Sequence, residues 1–454
     1  MINASMLLIV LGISLVMVAT ALLSKKSNFV VGDRKIGTWR GALSIAATWI
    51  WAPALFVSSQ QAFQNGWVGF LCFLIPNALC LVIYAPFAQR LRDRFPNGYN
   101  FPDIIGGVSG RVRKLYKFNF SALSLLSISV QLLAGSQIMH LYTGVPFLLC
   151  SLILLAIPAV YMFIRGFNAS VNTDVVQYVL IALASIMFLV FIPSSGLAFN
   201  SIKWDIFSPF EGRGLEVLLG FGIPTAIGLL SGPFGDGTFA QRALAIKKDK
   251  VKKSFFLSAI LFAVVPLCLS TLGFGAVGAG FTPTDVSQVG VEFITSIAPT
   301  WVAYMVFVMV LCGLLSSIDS HQSFLASLGK TRKQQLSLMF LLPIISVIIA
   351  NIPGNSVNTM FLFYGLFRAV SLVVNMLFMW GYKLKEKTIF WAVLINEIVS
   401  FVPFAIGNFF GITWLKLTAS LMTIVVPAVI IFISEKGKLK MQHQVEPELT
   451  ETEK

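Results

Sequence analysis

Stretches of about 20 residues with almost no charge recur along this chain from Ser5 to Ser434, separated by short polar connections. As a helix, that length crosses the roughly 30 Å hydrocarbon core of a bilayer, where every backbone N–H and C=O must find a partner within its own segment. A pattern of this kind specifies an all-α polytopic membrane protein and excludes a water-soluble globule. About thirteen segments are expected, near 5–24, 39–64, 67–88, 117–140, 146–164, 173–194, 215–243, 254–280, 299–328, 334–351, 357–381, 387–410 and 413–434, so residues 1–434 form one membrane domain. Composition agrees, with 57% hydrophobic and 11% charged residues and a mean hydropathy of +0.84.

The first segment has no basic residue before it and Lys25–Lys26 after it, the reverse of a secretory signal peptide, so it is expected to remain as a helix with its N-terminus outside. Every second connection then faces the cytoplasm. Those connections carry 5 (25–40), 7 (89–117), 1 (Arg165), 6 (242–253), 3 (330–333) and 3 (383–387) basic residues, with 4 in the tail. They hold 29 of the 33 Lys and Arg, leaving Lys203 and Arg213 outside and Arg368 and Lys416 within segments. The net charge of +14 is therefore the positive-inside signature of a plasma- or inner-membrane protein with a cytoplasmic C-terminus, and it gives no reason to expect a nucleic-acid partner.

The five cysteines (Cys72, Cys80, Cys150, Cys268, Cys312) lie in apolar segments without a CxxC spacing and read as small hydrophobes, with neither a disulfide nor a zinc site implied. His140 is expected near an outer interface and His321 toward the inner end of the ninth segment, without metal-ligand spacing. No nucleophile–base set emerges, so an enzyme is not expected. Residues 435–454 turn polar, lysines first and glutamates after, and read as a disordered cytoplasmic tail whose basic half suits anionic lipid. The tail is too short for a signalling domain, and no obligatory protein partner is evident.

Two segments carry helix breakers. In "AATWIWAPALFV" Pro53 removes a backbone donor, which frees carbonyls around Ala47 to Ile50; in "LLSGPFGDGTFAQR" Gly232, Pro233, Gly235 and Gly237 do the same. A kink alone can be mere shape. These two, however, fall in the second and seventh segments, the first members of two successive five-helix sets near 39–194 and 215–381, which is where an inverted-repeat carrier has its broken helices and midplane site. A channel would need polar residues along one face throughout, whereas here they cluster at the breaks and in the ninth segment.

That ninth segment ends in "GLLSSIDSH". Gly313, Ser316, Ser317 and Ser320 stand at i, i+3, i+4 and i+7, so one helix face offers bare backbone and three hydroxyls. Small residues also serve plain helix packing. Their oxygens suit a small hard cation such as sodium, with unwound carbonyls near Pro53 to complete the set. Asp319, in the same stretch, costs about 2.5–3.5 kcal/mol inside a membrane unless it is paired, hydrated or near the inner interface. Asp174 stands either as a cap with Asn172 and Thr173 at the start of the sixth segment or as a second membrane carboxylate. Asp236, Arg368 and Glu397 are charges for which the sequence names no partner.

Taken in order, "VVGDRKIGTWRGALSIAATWIWAP", "NTDVVQ", "FAQRALAIKKDKVKK" and "GLLSSIDS" resemble the sodium:solute symporters over roughly residues 30–380. The resemblance implies a LeuT-type 5+5 inverted repeat with extra N-terminal and C-terminal helices, and sodium as coupling ion. It places the family's sodium site on the carbonyls of Ala47, Ile50 and Gly313 and the hydroxyls of Ser316 and Ser317. A further site of some members falls on Asp174, Asp319 and Ser320; an aspartate at 319 departs from the hydroxyl usual there, and suits a second cation or a proton. Asp174 and Asp319 are thus expected to form an acidic pair.

Other stretches, "TWIWAPALFVSSQQAFQNGWVGFLCFLIPNALCLVIYAPFAQRLRDRFPN", "LLAGSQIMHLYTGV" and "GDGTFAQRALAIKKDKVKKSFF", resemble the urea and polyamine permeases, which are longer. By resemblance the substrate positions after Ala47 are Trp49, Trp51 and Ala54, and Ser127, Gln131, Ser231, Phe234 and Tyr364 are the remaining expected contacts. Two indoles can stack on a flat neutral solute or cage a cation. The expected substrate is urea or a similar small amide or amine, with proline, another amino acid or a monocarboxylate as the alternative, driven by sodium or protons.

Overall fold

The computed structural model describes residues 4–107, 109–194, 210–436 and 439–441, and these are helical almost throughout. After α1 (Ala4–Leu23) the chain enters α2 (Thr38–Trp49), which stops where Ile50 and Trp51 take ψ of 78° and 179°. α3 (Ala52–Arg94) restarts at once, with Pro53 in its first turn, where a missing N–H removes no helical hydrogen bond. The proline thus begins a helix as much as it ends one. Gly66, at φ 57° and ψ −145°, divides α3 into 52–65 and 67–94. Only glycine adopts such a conformation without strain.

α4 (Gly110–Thr143), α5 (Phe147–Arg165) and α6 (Phe167–Ser194) complete the first set. The second set also opens on a break: α7 (Gly212–Leu230) and α8 (Gly237–Ala245) are separated by a single turn, Gly232–Gly235, and by the extended Asp236. α9 (Val251–Gly278), α10 (Thr300–Ser327), α11 (Arg332–Ala350) and the pair α12 (Val357–Ala369) and α13 (Leu372–Trp380), bent by 44°, follow. α14 (Glu386–Phe409) and α15 (Thr413–Ser434) pack on one another and close the chain.

Among the described residues eleven helices are long and apolar enough to cross a membrane, or twelve with the bent pair as one span. The count of spans falls below the expected thirteen at Gly66, because the segments expected at 39–64 and 67–88 meet there and the stretch Ala52–Arg94 is counted as a single span. α4 and α10 run through the interior, whereas α1 and α15 leave residues such as Leu8, Leu15, Val425 and Phe432 exposed on faces that suit lipid.

Short backbone pairings tie distant parts of the chain together at two places. Ile36, just before α2, forms a parallel bridge with Ile246, just after α8: Lys247 N donates to Ile36 O at 3.0 Å and Ile36 N to Ala245 O at 3.4 Å. The start of the tail, expected to be disordered, is instead docked. Glu435 accepts from Thr388 Oγ1 at 2.7 Å and Lys385 N at 3.0 Å, and β2 (Lys440–Met441) pairs antiparallel with β1 (Tyr382–Lys383). The remaining tail residues, 437–438 and 442–454, lie outside the described residues, as does Lys203.

Candidate functional site

The end of α2 meets the serine face of α10. Gly313 lies so close to the break that a Cβ there would stand 3.2 Å from the Ile50 carbonyl oxygen and 2.9 Å from Leu55 Cδ1, so bare backbone is what lets the two helices touch. One turn on, Ser317 Oγ donates to Thr48 O at 3.3 Å, and Ser316 Oγ donates to Asp174 Oδ1 at 2.6 Å. Both hydroxyl hydrogens are thus spent, which leaves the serine oxygens with lone pairs to offer a cation. Ala47 O accepts a long bond from Ile50 N at 3.2 Å. Of the five positions expected around sodium, Ile50, Gly313 and Ser317 meet at this contact, while Ser316 turns to Asp174 and Ala47 O lies one turn back in α2; all five offer oxygens, the donor type that suits a hard cation.

Behind this contact lies a buried polar cluster. Asp174 accepts from Ser44 Oγ at 2.5 Å and Ser316 Oγ at 2.6 Å, and pairs with Arg242 Nη2 at 2.9 Å. The same guanidinium donates to Ser320 Oγ at 2.6 Å and, through Nε, to Ser44 Oγ at 3.0 Å. Thr48 Oγ1 and Ser320 Oγ are 3.0 Å apart. Asp174 is therefore no helix cap. Arg242, counted from sequence with the cytoplasmic connection 242–253, is 1% exposed in α8 and belongs to the interior.

Asp319 is also fully buried, but hydroxyls alone hold it: Tyr161 OH at 2.6 Å, Ser170 Oγ at 2.7 Å, and Thr173 and Ser320 at 3.3 Å each. The two aspartates share the Ser316–Ser320 stretch without touching each other. The acidic pair expected from sequence is modified accordingly, since Arg242 already supplies a positive charge to one member.

The second break lies beside the first. Trp49 and Trp51 stack with ring centroids 6.5 Å apart, and Trp51 packs on Tyr364 of α12 at 4.9 Å. A Cβ at Gly232 would collide with the Trp49 ring and come within 3.1 Å of Arg368 Nη1, so the second break brings its own bare backbone to the same place. Asp236 accepts from Thr238 N at 2.9 Å and Tyr364 OH at 2.9 Å, with His321 Nε2 at 3.8 Å.

Several expected substrate contacts make hydrogen bonds or ring contacts within the fold. Gln131 Oε1 accepts from Ala52 N at 2.8 Å, satisfying a donor orphaned by the break, while its Nε2 donates to Ser127 O at 3.2 Å. Ser231 Oγ donates to Gly228 O at 2.8 Å, Ala54 O accepts from Ser58 Oγ at 2.8 Å, and the Phe234 ring meets Tyr84 and Phe87. Glu397, unplaced by sequence, accepts from Asn119 Nδ2.

Arg368 stands at the centre of this group, fully buried, its guanidinium carbon 4.3 Å from the Tyr364 ring centroid, 5.2 Å from Trp49 and 5.5 Å from Trp51. The cation in the tryptophan cage is the protein's own. The sequence signal for it is a lone arginine within an apolar segment, and what hides its role is that Trp49 and Trp51 come from the far end of the chain.

Comparison with known proteins bears on the family and the fold. The chain is 24% identical over 281 residues to the urea-proton symporter of Oryza sativa subsp. japonica, and 22% identical over 315 residues to the sodium/pantothenate symporter of Haemophilus influenzae. These matches cover 55% and 65% of this chain but 39% and 63% of those proteins, so the match spans well under half the length of the urea transporter. In three dimensions it is similar to a Na+-coupled sialic acid symporter, with a TM-score of 0.71 at 13% identity over 96% of this chain and 99% of that one, and to a nucleobase-cation-symport-1 family transporter, with a TM-score of 0.55 at 16% identity over 92% and 96%. The fold is therefore the LeuT type. The family model described as "Sodium:solute symporter family" matches residues 29–420, and the chain belongs to that family.

Proposed function

We propose that this symporter draws a small solute into the cell by alternating access, driven by sodium at Ala47, Ile50, Gly313, Ser316 and Ser317, with its N-terminus outside and its C-terminus in the cytoplasm. The observation that supports the ion is the contact of a bare Gly313 and the Ser317 hydroxyl with the carbonyl end of α2, with Ser316 one residue away donating to Asp174. Such oxygens become a cation site when the two helices are close and cease to be one when they part, which ties ion release to the conformational change. Asp319, which makes no ion pair among the described residues, is the position for a second cation or a proton, Asp174 being neutralised by Arg242.

The solute is small and flat and lies against the aromatic cluster of Trp49, Trp51 and Tyr364 beside Arg368. Urea and short amides form one such set, supported by the urea transporters among the relatives; amino acids and monocarboxylates form the other. Uptake into proteoliposomes, with labelled urea, acetamide, putrescine, proline, acetate and glucose under a sodium gradient or a pH gradient, tests the reading. Removing both hydroxyls (Ser316→Ala with Ser317→Ala) should raise the sodium concentration for half-maximal uptake in a protein that still folds. Uptake that ignores sodium and follows the pH gradient would falsify the ion assignment.

A further inference from the structure

We infer that the solute carries a carboxylate, and that Arg368 is the residue that binds it. The inference rests on the symporter reading only in placing the solute between the two breaks.

None of the three guanidinium nitrogens of Arg368 makes a hydrogen bond of normal length and angle, the Tyr364 hydroxyl being a neighbouring acceptor that already donates to Asp236, and no carboxylate lies within ion-pair distance of it among the described residues. Asp236, the acidic group on this side, acts on Arg368 only across a longer gap, because its oxygens are taken by Thr238 and Tyr364. Aromatic faces offset part of the cost of a desolvated guanidinium, but they give its N–H groups nothing to donate to. A buried charge without partners is among the more expensive things a fold can hold. The expense is local to the point where both broken helices and α12 converge.

The unmet groups share a sense. Beside the guanidinium donors, Trp51 Nε1 is buried without a partner, whereas Trp49 Nε1 is satisfied by Asn77 O at 3.0 Å. Tyr84 OH, which can also donate, is unmet on the neighbouring face of α3, and against these stands one unmet acceptor there, Asn77 Oδ1. A ligand that repairs such a set must bring mostly acceptors. A carboxylate is acceptor-only, negative and flat, and it matches the planar fork of an arginine through two parallel N–H···O bonds. Urea has the same outline but brings four N–H hydrogens to a site already rich in donors, and an ammonium or polyamine would bring a positive charge to one already present. Gly232 keeps the guanidinium approachable, since any side chain there would press on Trp49 and on Arg368 Nη1.

Isosteric pairs separate the possibilities. Purified protein in detergent is titrated, at fixed sodium, with acetate against acetamide, propionate against propionamide and pyruvate against pyruvamide, with urea as a further neutral solute, and binding is read from tryptophan fluorescence. The same compounds then compete for uptake in proteoliposomes. At least one carboxylate should bind at least about tenfold more tightly than its neutral partner. Arg368→Gln should weaken that carboxylate by about thirtyfold or more and abolish the preference, as loss of one member of a buried charge pair does, with Arg368→Lys intermediate because charge survives and the fork does not. If no carboxylate in the panel outbinds its neutral partner, or Arg368→Gln retains the preference, the inference is overturned. Should the variant fail to fold, the comparison in the unmodified protein still decides. Carboxylate binding without sodium-driven uptake would sink the coupling mechanism and leave this inference standing; sodium-driven uptake of urea or acetamide, untouched by carboxylates, would do the opposite.

Discussion

Two arginines are buried in this bundle to nearly the same degree, Arg242 at 1% and Arg368 at 0% exposure, and the fold treats them in opposite ways. Arg242 finds a carboxylate and two serine hydroxyls waiting, each brought from a different helix. Arg368 finds three aromatic rings and no hydrogen bond of normal geometry. The difference separates a charge that joins helices from a charge kept for a ligand. A satisfied network rigidifies what it connects, while an unsatisfied one is tolerable only where something else completes it in the working cycle.

The sharpest way to break this contrast is to delete one partner at each site. Asp174→Ala leaves Arg242 enclosed without its counter-charge and should cost about 3–5 kcal/mol of stability, whereas Arg368→Met removes an unpaired charge and should leave the melting temperature unchanged or raised while uptake is lost. Thermal unfolding of the purified protein in detergent measures both. Equal losses would erase the distinction. Replacing both members of the satisfied pair, Asp174→Leu with Arg242→Met, should recover much of what Asp174→Ala loses, because no isolated charge then remains.

A smaller effect is expected at the break itself. Gln131→Ala orphans the Ala52 N–H and should cost about 1–3 kcal/mol, with Gln131→Glu milder because an acceptor survives. Loss of melting temperature in both to the same extent would mean that side-chain volume, and not the hydrogen bond, matters there. Gly313→Ala pushes a methyl group toward Ile50 O and Leu55, which should cost about 1–2 kcal/mol in packing and shift the sodium dependence of uptake. Ser317→Ala gives the mildest change, on the order of 0.5–1.5 kcal/mol, or a factor of roughly 2–10 in the sodium needed. A sodium response identical to the unmodified protein in both variants would move the ion away from the α2–α10 contact.

Much of this is legible in the sequence because it is written at short range. Apolar length sets the spans, Pro53 and the Gly232–Gly237 cluster set the breaks, and the spacing of Gly313, Ser316, Ser317 and Ser320 sets one helix face. What escapes is written between distant segments. Arg242 stands shortly before Lys247 and reads as one of the loop cations, yet α8 runs on to Ala245 and turns it inward to Asp174. Gln131 looks like a polar group for a solute, and its task is to satisfy Ala52, which only a chain broken at Ile50 and Trp51 leaves in need. The tail looks disordered because a two-residue strand has no pattern of its own; its partner Tyr382–Lys383 supplies the ladder.

The bridge between Ile36 and Ile246 ties the near end of α2 to the far end of α8, and Arg34 Nη1 adds a bond to Leu244 O at 3.3 Å. The two half-helices on that side of the breaks are therefore yoked. Neither can swing away alone without tearing backbone hydrogen bonds, so the flexing must concentrate at Ile50–Trp51 and at the Gly232–Asp236 turn, where extended or bare backbone absorbs it. In a carrier coupled to an ion gradient, as proposed above, this would guard against slippage: a half-open state, through which ions could leak without cargo or cargo without ions, is the one the yoke disfavours.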